Sequence, residues 1–111
     1  MSRKPLESDW KIFRKHVPEW RERYLATKNQ ELVRILTAKN PTPTEQFWNA
    51  KNRMEEEAKT LVDCLDGHSR SKMQWYLFLM YQHGLIRDPD LEEFSEDLRE
   101  QIIASSKSLD R

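Results

Sequence analysis

Apolar residues recur every three or four positions along most of this chain, which is the spacing of amphipathic helices. No segment alternates apolar and polar residues in the way a half-buried strand does. The one Asp-Gly pair, Asp66-Gly67, joins two helical patterns and not two strands. The pattern therefore predicts an all-α protein.

Proline divides the first part of this pattern. Trp10, Phe13 and Val17 share one face of a first helix. Pro18 either starts a new helix or kinks a continuous one, and we favour a break or sharp bend near Val17. Proline lacks the N–H that the helix needs and clashes with the preceding turn. A second helix is predicted over about 18–38, with an apolar face that includes leucines at spacings of four and seven.

The clearest local signal lies after the linker at 40–43. Thr42, Pro43 and Glu45 form an N-cap, a first-position proline and a capping box, which predict a third helix over about 43–65. We expect the apolar stripe of this helix to face the core. The stripe comprises Phe47, Ala50, Met54, Ala58, Leu61 and Leu65.

The most apolar segment is an unbroken run of seven residues from Trp75 to Tyr81. A helix that is apolar on every side must be buried on every side, either at the centre of a bundle or against a partner surface. We therefore predict a central helix over about 70–83 that ends at Gly84, followed by a fifth helix beginning at Asp88-Pro89. The stripe of this fifth helix comprises Leu91, Phe94, Leu98 and Ile102.

These elements predict a compact up-and-down bundle of four to five helices around the apolar central helix. The 111 residues are typical of one domain and can bury a single core without disulfides or metal. We expect a single helical domain over 1–111, with frayed ends at 1–7 and 105–111.

Composition narrows the class of function. Lys and Arg balance Asp and Glu, which argues against a protein that coats nucleic acid. The apolar run is far shorter than the ~20 residues that span a bilayer, so no membrane partner is predicted. One cysteine, Cys64, and no visible signal peptide favour a reducing, cytoplasmic location.

One candidate site is the segment 67–72, where a helix N-terminus adjoins several polar and basic side chains. Free backbone N–H groups and the helix dipole attract anions, and basic side chains strengthen this. An anionic ligand or a nucleic-acid backbone is therefore an alternative partner. The residues that would bind it are His68, Ser69, Arg70, Ser71 and Lys72.

Two further features concern surfaces. Arg21 and Lys28 fall within the apolar stripe of the second helix, so they either pair with acids such as Glu57 or line an open groove. Four tryptophans are more than one small core requires, and aromatic residues are enriched at interfaces. The candidate interface residues are Trp48, Trp75 and Phe78.

The sequence carries no nucleophile elbow, zinc-protease pair or di-iron pair, so we predict no catalytic residue, no metal site and no cofactor. The hypothesis favoured is a cytoplasmic helical protein that acts through protein–protein contacts. Self-association as a homodimer is one form of this hypothesis. An enzyme whose site is assembled from distant helices stays open.

Overall fold

The computed structural model describes residues 5–109, and this part of the chain is helical without strands. Four α-helices follow one another: α1 is Glu7–Thr37, α2 is Pro43–Leu65, α3 is Met73–Gln82 and α4 is Glu96–Leu109. Short 3-10 turns at Arg70–Lys72 and Asp88–Leu91 precede α3 and α4. The all-α prediction is confirmed.

The predicted break near Val17 is wrong, because Pro18 lies inside one continuous helix of 31 residues, as in the alternative. Pro18 lies on the exposed side of the helix, so the carbonyl that loses its N–H partner can face water. Val17 and Trp20 on the opposite side are buried in the core. Burial of one residue before the proline and one after it thus stabilises a single helix, although local propensity favours two.

Helix α2 begins as predicted. The Thr42 hydroxyl accepts from the Glu45 backbone N–H, and the Glu45 carboxylate accepts from the Thr42 backbone N–H, which completes the capping box. The expectation that its whole apolar stripe faces the core is wrong. Ala50 is buried, but Phe47 and Met54 are more than half exposed.

Helix α3 contributes three nearly inaccessible side chains, Met73, Leu77 and Met80, to the core. It begins later than predicted, because 70–72 forms a 3-10 turn. The opposite side is not covered: Trp75 is 58 % exposed, so burial on every side is not observed. Gly84 follows the helix with a φ of 80°, the left-handed conformation expected after a helix end.

The predicted fifth helix does not begin at Asp88-Pro89. Asp88–Leu91 is a single 3-10 turn, and Ser95 precedes the start of α4 at Glu96. The stripe predicted for this region is nevertheless buried: Leu91, Phe94, Leu98 and Ile102. Helix α4 continues through 105 to Leu109, and Ser106 is buried beside Gln82, where the sequence predicts fraying. Residues 1–4 and 110–111 lie outside the described residues.

The core occupies one end of the molecule. From α1 its buried side chains stop at Tyr24, although the helix continues for thirteen residues. The radius of gyration is 16.7 Å, against about 13 Å for a compact domain of this length, and the longest dimension is 53 Å. The antiparallel α1–α2 hairpin therefore extends beyond the core, with its free end at the 38–42 connection.

Candidate functional site

The free end of the hairpin is rich in exposed apolar side chains. Of residues 25–37 on α1 none is fully buried, and Ala50 is the one buried residue between 43 and 63 on α2. Each of the following side chains is at least half exposed: Val33, Leu36, Phe47, Trp48, Met54 and Val62. Exposed apolar side chains grouped in this way on a small protein make the hairpin a candidate interaction surface.

The seam between the two helices is polar where the apolar side chains are exposed. The Tyr24 hydroxyl donates to Glu57, and Lys28 Nζ lies 3.8 Å from Glu57 Oε1 and 3.4 Å from Glu31 Oε2. Arg53 Nη1 lies 3.5 Å from Glu31 Oε2. The hairpin thus places charged groups between its helices and leaves its leucines and Phe47 on a neighbouring face.

Helix geometry puts the apolar side chains of both helices on the same side of the hairpin. With about 100° of rotation per residue, Leu25, Leu32 and Leu36 lie to one side of the α1 seam, and Phe47, Met54 and Leu61 lie a similar angle from the α2 seam. Because the helices are right-handed and antiparallel, equal rotations turn both sets to one side. We call these six residues the hairpin face.

Trp48 contacts the hairpin face through Phe47 but points about 100° further around α2. It is 53 % exposed and packs edge-on against Phe47, with ring centroids 5.3 Å apart. Lys51 Nζ lies 5.5 Å from the Trp48 ring centroid and 2.6 Å from Glu55 Oε1. The sequence predicts Trp48 as an interface residue, and the structure leaves it accessible for that role.

The two other predicted interface residues form a separate aromatic surface on α3. Trp75 and Phe78 stack with ring centroids 5.7 Å apart, and Trp75 is exposed while Phe78 is half-buried. This surface belongs to a helix packed into the core. At the free end of the hairpin, in contrast, no third helix covers the hairpin face, and only Leu61 at its base packs against the core.

Within the predicted anion site, several side chains are engaged by the fold. His68 Nε2 lies 2.8 Å from the Cys64 carbonyl, and its ring contacts Phe13 and Tyr76 with centroids 4.9 and 4.6 Å away. Arg70 forms an ion pair with Glu7 at 2.9 Å.

The other two members of that segment with described contacts are serines. The Ser69 and Ser71 hydroxyls lie 3.3 Å apart. Lys72, like Ser71, is exposed. The contacts of this segment therefore hold the connection between α2 and α3 in place.

The two predicted groove residues, Arg21 and Lys28, have different surroundings in the structure. Lys28 pairs with Glu57, one of the acids the sequence suggests as its partner, and it borders an open cleft of about 600 Å³ beside the 83–90 segment. Arg23 crosses this cleft, donating to both Asp90 carboxylate oxygens at 3.0 and 2.8 Å. Arg21 is half-buried and does not line the cleft.

Burial within the fold accounts for the raised pKa values of two side chains, Cys64 and Tyr24. Burial, with a smaller effect of Asp63, raises the pKa of Cys64 to about 11, so the thiol stays protonated at neutral pH. Burial and the hydrogen bond to Glu57 raise the pKa of Tyr24. Among the described residues no group of three His, Cys, Asp or Glu side chains is placed to hold a metal ion.

A buried carboxylate, that of Asp9, joins the first turn of α1 to the residue before α4. Asp9 is 3 % exposed and accepts hydrogen bonds from the Ser95 backbone N–H at 2.8 Å and hydroxyl at 2.7 Å. It borders a small cavity of about 150 Å³ between the start of α1 and α4. Both carboxylate oxygens are occupied by Ser95, so the residue fixes the fold at this junction.

His16 joins α1 to the segment before α4. Its Nδ1 lies 2.7 Å from Glu19 Oε2, and its Nε2 lies 3.1 Å from Glu93 Oε1. The hydrogen bond to Glu19 raises the pKa of His16 above 6.5, with Glu93 adding to the effect and partial burial opposing it.

We expect a pH-dependent stability from His16. Because its pKa is raised on folding, the protonated imidazole stabilises the fold fully below pH 6.5, and this contribution is lost as pH rises through the folded pKa. Both acids are largely exposed, so the effect should be below about 1 kcal/mol. Urea unfolding at several pH values should show it in the natural chain and in His83→Gln. If His16→Gln retains the same pH dependence, His16 is not its source.

Comparison of this chain with protein-family models, curated proteins and solved structures finds no match. None of the helices within residues 5–109 combines the length and apolar content that crossing a membrane requires. The candidate site therefore depends on the geometry of the hairpin.

Sequence periodicity identifies the apolar positions of the hairpin face but assigns them to the core. The positions of the charged residues distinguish an exposed apolar face from one that packs in the core. Lys28 and Glu57 lie on the lines that face the neighbouring helix, and the leucines lie beside them. Reading both helices together would have shown that one apolar face lacks a partner.

Proposed function

We propose that this protein acts through protein–protein contacts made by the hairpin face. One observation carries the proposal: charged side chains occupy the seam between α1 and α2, while Leu36, Phe47 and Met54 on the adjacent face are each at least half exposed. Covering apolar surface is favourable, by roughly 25 cal/mol per Å². A protein partner on this face would remove that surface from water.

The rest of the fold is proposed as the support for this face. The buried side chains of α3 between α2 and α4 support an up-and-down bundle with α3 at its centre, from which the hairpin projects. A bundle of this kind would hold the base of the hairpin rigid. We also propose a cytoplasmic location, supported by a free and buried Cys64.

An anionic ligand or nucleic-acid backbone at 67–72 has weaker support. Arg70 pairs with Glu7, and His68 packs between two aromatic rings. The formal net charge of zero also gives no general attraction for a polyanion. The exposed apolar face is the stronger basis for a function.

Photo-crosslinking tests the contact function. A benzophenone amino acid at Met54 should form protein adducts when the chain is irradiated in the cells that produce it. The same residue at Asn52 is the control, because Asn52 is also exposed but points about 160° away from Met54 around α2. Adducts at 54 and not at 52 support the proposal. Equal yields at the two positions, or none at either, would refute it.

A further inference from the structure

We propose that the hairpin face binds the same face of a second copy of this chain, so that two α1–α2 hairpins form an intermolecular four-helix bundle. This inference rests on the proposed contact function and names its partner. Four lines of evidence support it: the spacing of the face, its area, its charge and the polar residue within it.

The spacing on both helices is that of a second helix-packing seam. Leu25, Asn29, Leu32 and Leu36 are separated by four, three and four residues on α1, while Phe47, Met54 and Leu61 are separated by seven on α2. Such three-and-four spacing lets helices pack at a small crossing angle. In a four-helix bundle each helix has two neighbours, whereas the free end of this hairpin supplies only one.

The exposed area suits a dimer. Three members of the face, Leu36, Phe47 and Met54, and two residues at its edges, Val33 and Val62, are each 50–58 % exposed. At roughly 100 Å² for each half-exposed large side chain these supply about 500 Å². Stable interfaces bury about 800 Å² on each partner. The half-buried Leu25 and Leu32 and the polar rim can provide the remainder.

The nearly balanced charge of the hairpin is compatible with the pairing of two copies. Residues 25–62 carry six Lys or Arg and five Asp or Glu. Several of these charges are already paired within the hairpin, as in Lys51–Glu55 and Arg53–Glu31. Two copies would therefore meet with nearly balanced formal charge and without strong general repulsion.

Asn29 is the polar residue within the leucine line of α1. A single asparagine in an apolar helix seam fixes the register and the number of helices at a cost in stability. It is exposed in the single chain and would become buried between two hairpins. Replacing it with leucine should therefore strengthen the association, an effect that damage to the single chain's fold would not produce.

Sedimentation velocity of the purified full chain between about 1 and 300 μM tests the inference. We expect a concentration-dependent dimer for the natural chain and a dissociation constant raised at least about 30-fold for Met54→Glu. Asn29→Leu should lower it by about tenfold or more. The matched control Asn52→Glu adds the same charge on the opposite side of α2 and should leave it unchanged. Circular dichroism of each variant should show the natural helical content.

The results separate the two proposals. A natural chain that stays monomeric throughout, or an equal effect of Met54→Glu and Asn52→Glu, overturns the second-copy assignment. If position 54 then crosslinks a different protein, the contact function stands with another occupant. A crosslinked product with twice the mass of the chain, obtained from purified protein at position 54 alone, supports both.

Discussion

Leu77→Ala should lower the free energy of unfolding by about 2–5 kcal/mol. Leu77 lies in the middle of α3 and is completely inaccessible to solvent. Truncation to alanine removes buried methyl groups and leaves a cavity that the surrounding helices fill only in part. Urea unfolding followed by circular dichroism measures the change. A loss of this size is a large fraction of the total free energy of unfolding of a small domain.

The matched control for this prediction lies on the same helix. Trp75→Ala removes a larger side chain, but Trp75 is 58 % exposed, so its loss should cost less than about 1 kcal/mol. A cost for Trp75→Ala as large as that for Leu77→Ala would mean that the exposed side of α3 is covered in solution. Measurements at low protein concentration keep any dimer from adding to the stability.

Asp9→Ala should destabilise the fold by about 2–3 kcal/mol, because it leaves the half-buried Ser95 N–H and hydroxyl without their acceptor. Asp9 accepts from both the backbone N–H and the hydroxyl of Ser95 and is 3 % exposed. Ser95 also precedes α4, where its hydroxyl accepts from the Leu98 backbone N–H at 3.4 Å. The contact thus joins the first turn of α1 to the start of α4.

A double-mutant cycle isolates this contact. Asp9→Ala and Ser95→Ala together should cost less than the sum of the single changes, with a coupling of about 1–2 kcal/mol. Asp9→Asn retains one acceptor oxygen and should be milder than Asp9→Ala. Additive costs for the two alanine changes would show that the hydrogen bond between the side chains contributes nothing measurable.

These two predictions concern stability, and those on the hairpin face concern association. Met54→Glu alters an exposed residue far from the buried cluster, so the single chain should fold as before. Leu77→Ala should weaken the fold without altering the hairpin face itself. The two kinds of variant therefore test the fold and the surface independently.

The amino-acid sequence by itself determined the local features of the structure. Periodicity without alternation indicates helices, and the capping box at Thr42 and Glu45 marks the start of α2. Gly67 and Gly84 have the positive φ expected after helix ends. Each of these features depends on residues within one or two helical turns, so nearby sequence is sufficient.

Only the tertiary structure decided how many neighbours each helix has. Pro18 lies within a continuous helix because packing at Val17 and Trp20 outweighs the lost hydrogen bond. Phe47 and Met54 have the spacing of core residues, yet they are exposed because α3 and α4 do not reach the free end of the hairpin. Helical spacing shows which residues share a face. Whether that face is covered depends on where distant parts of the chain end, and this is the reason the candidate interaction surface emerged from the fold.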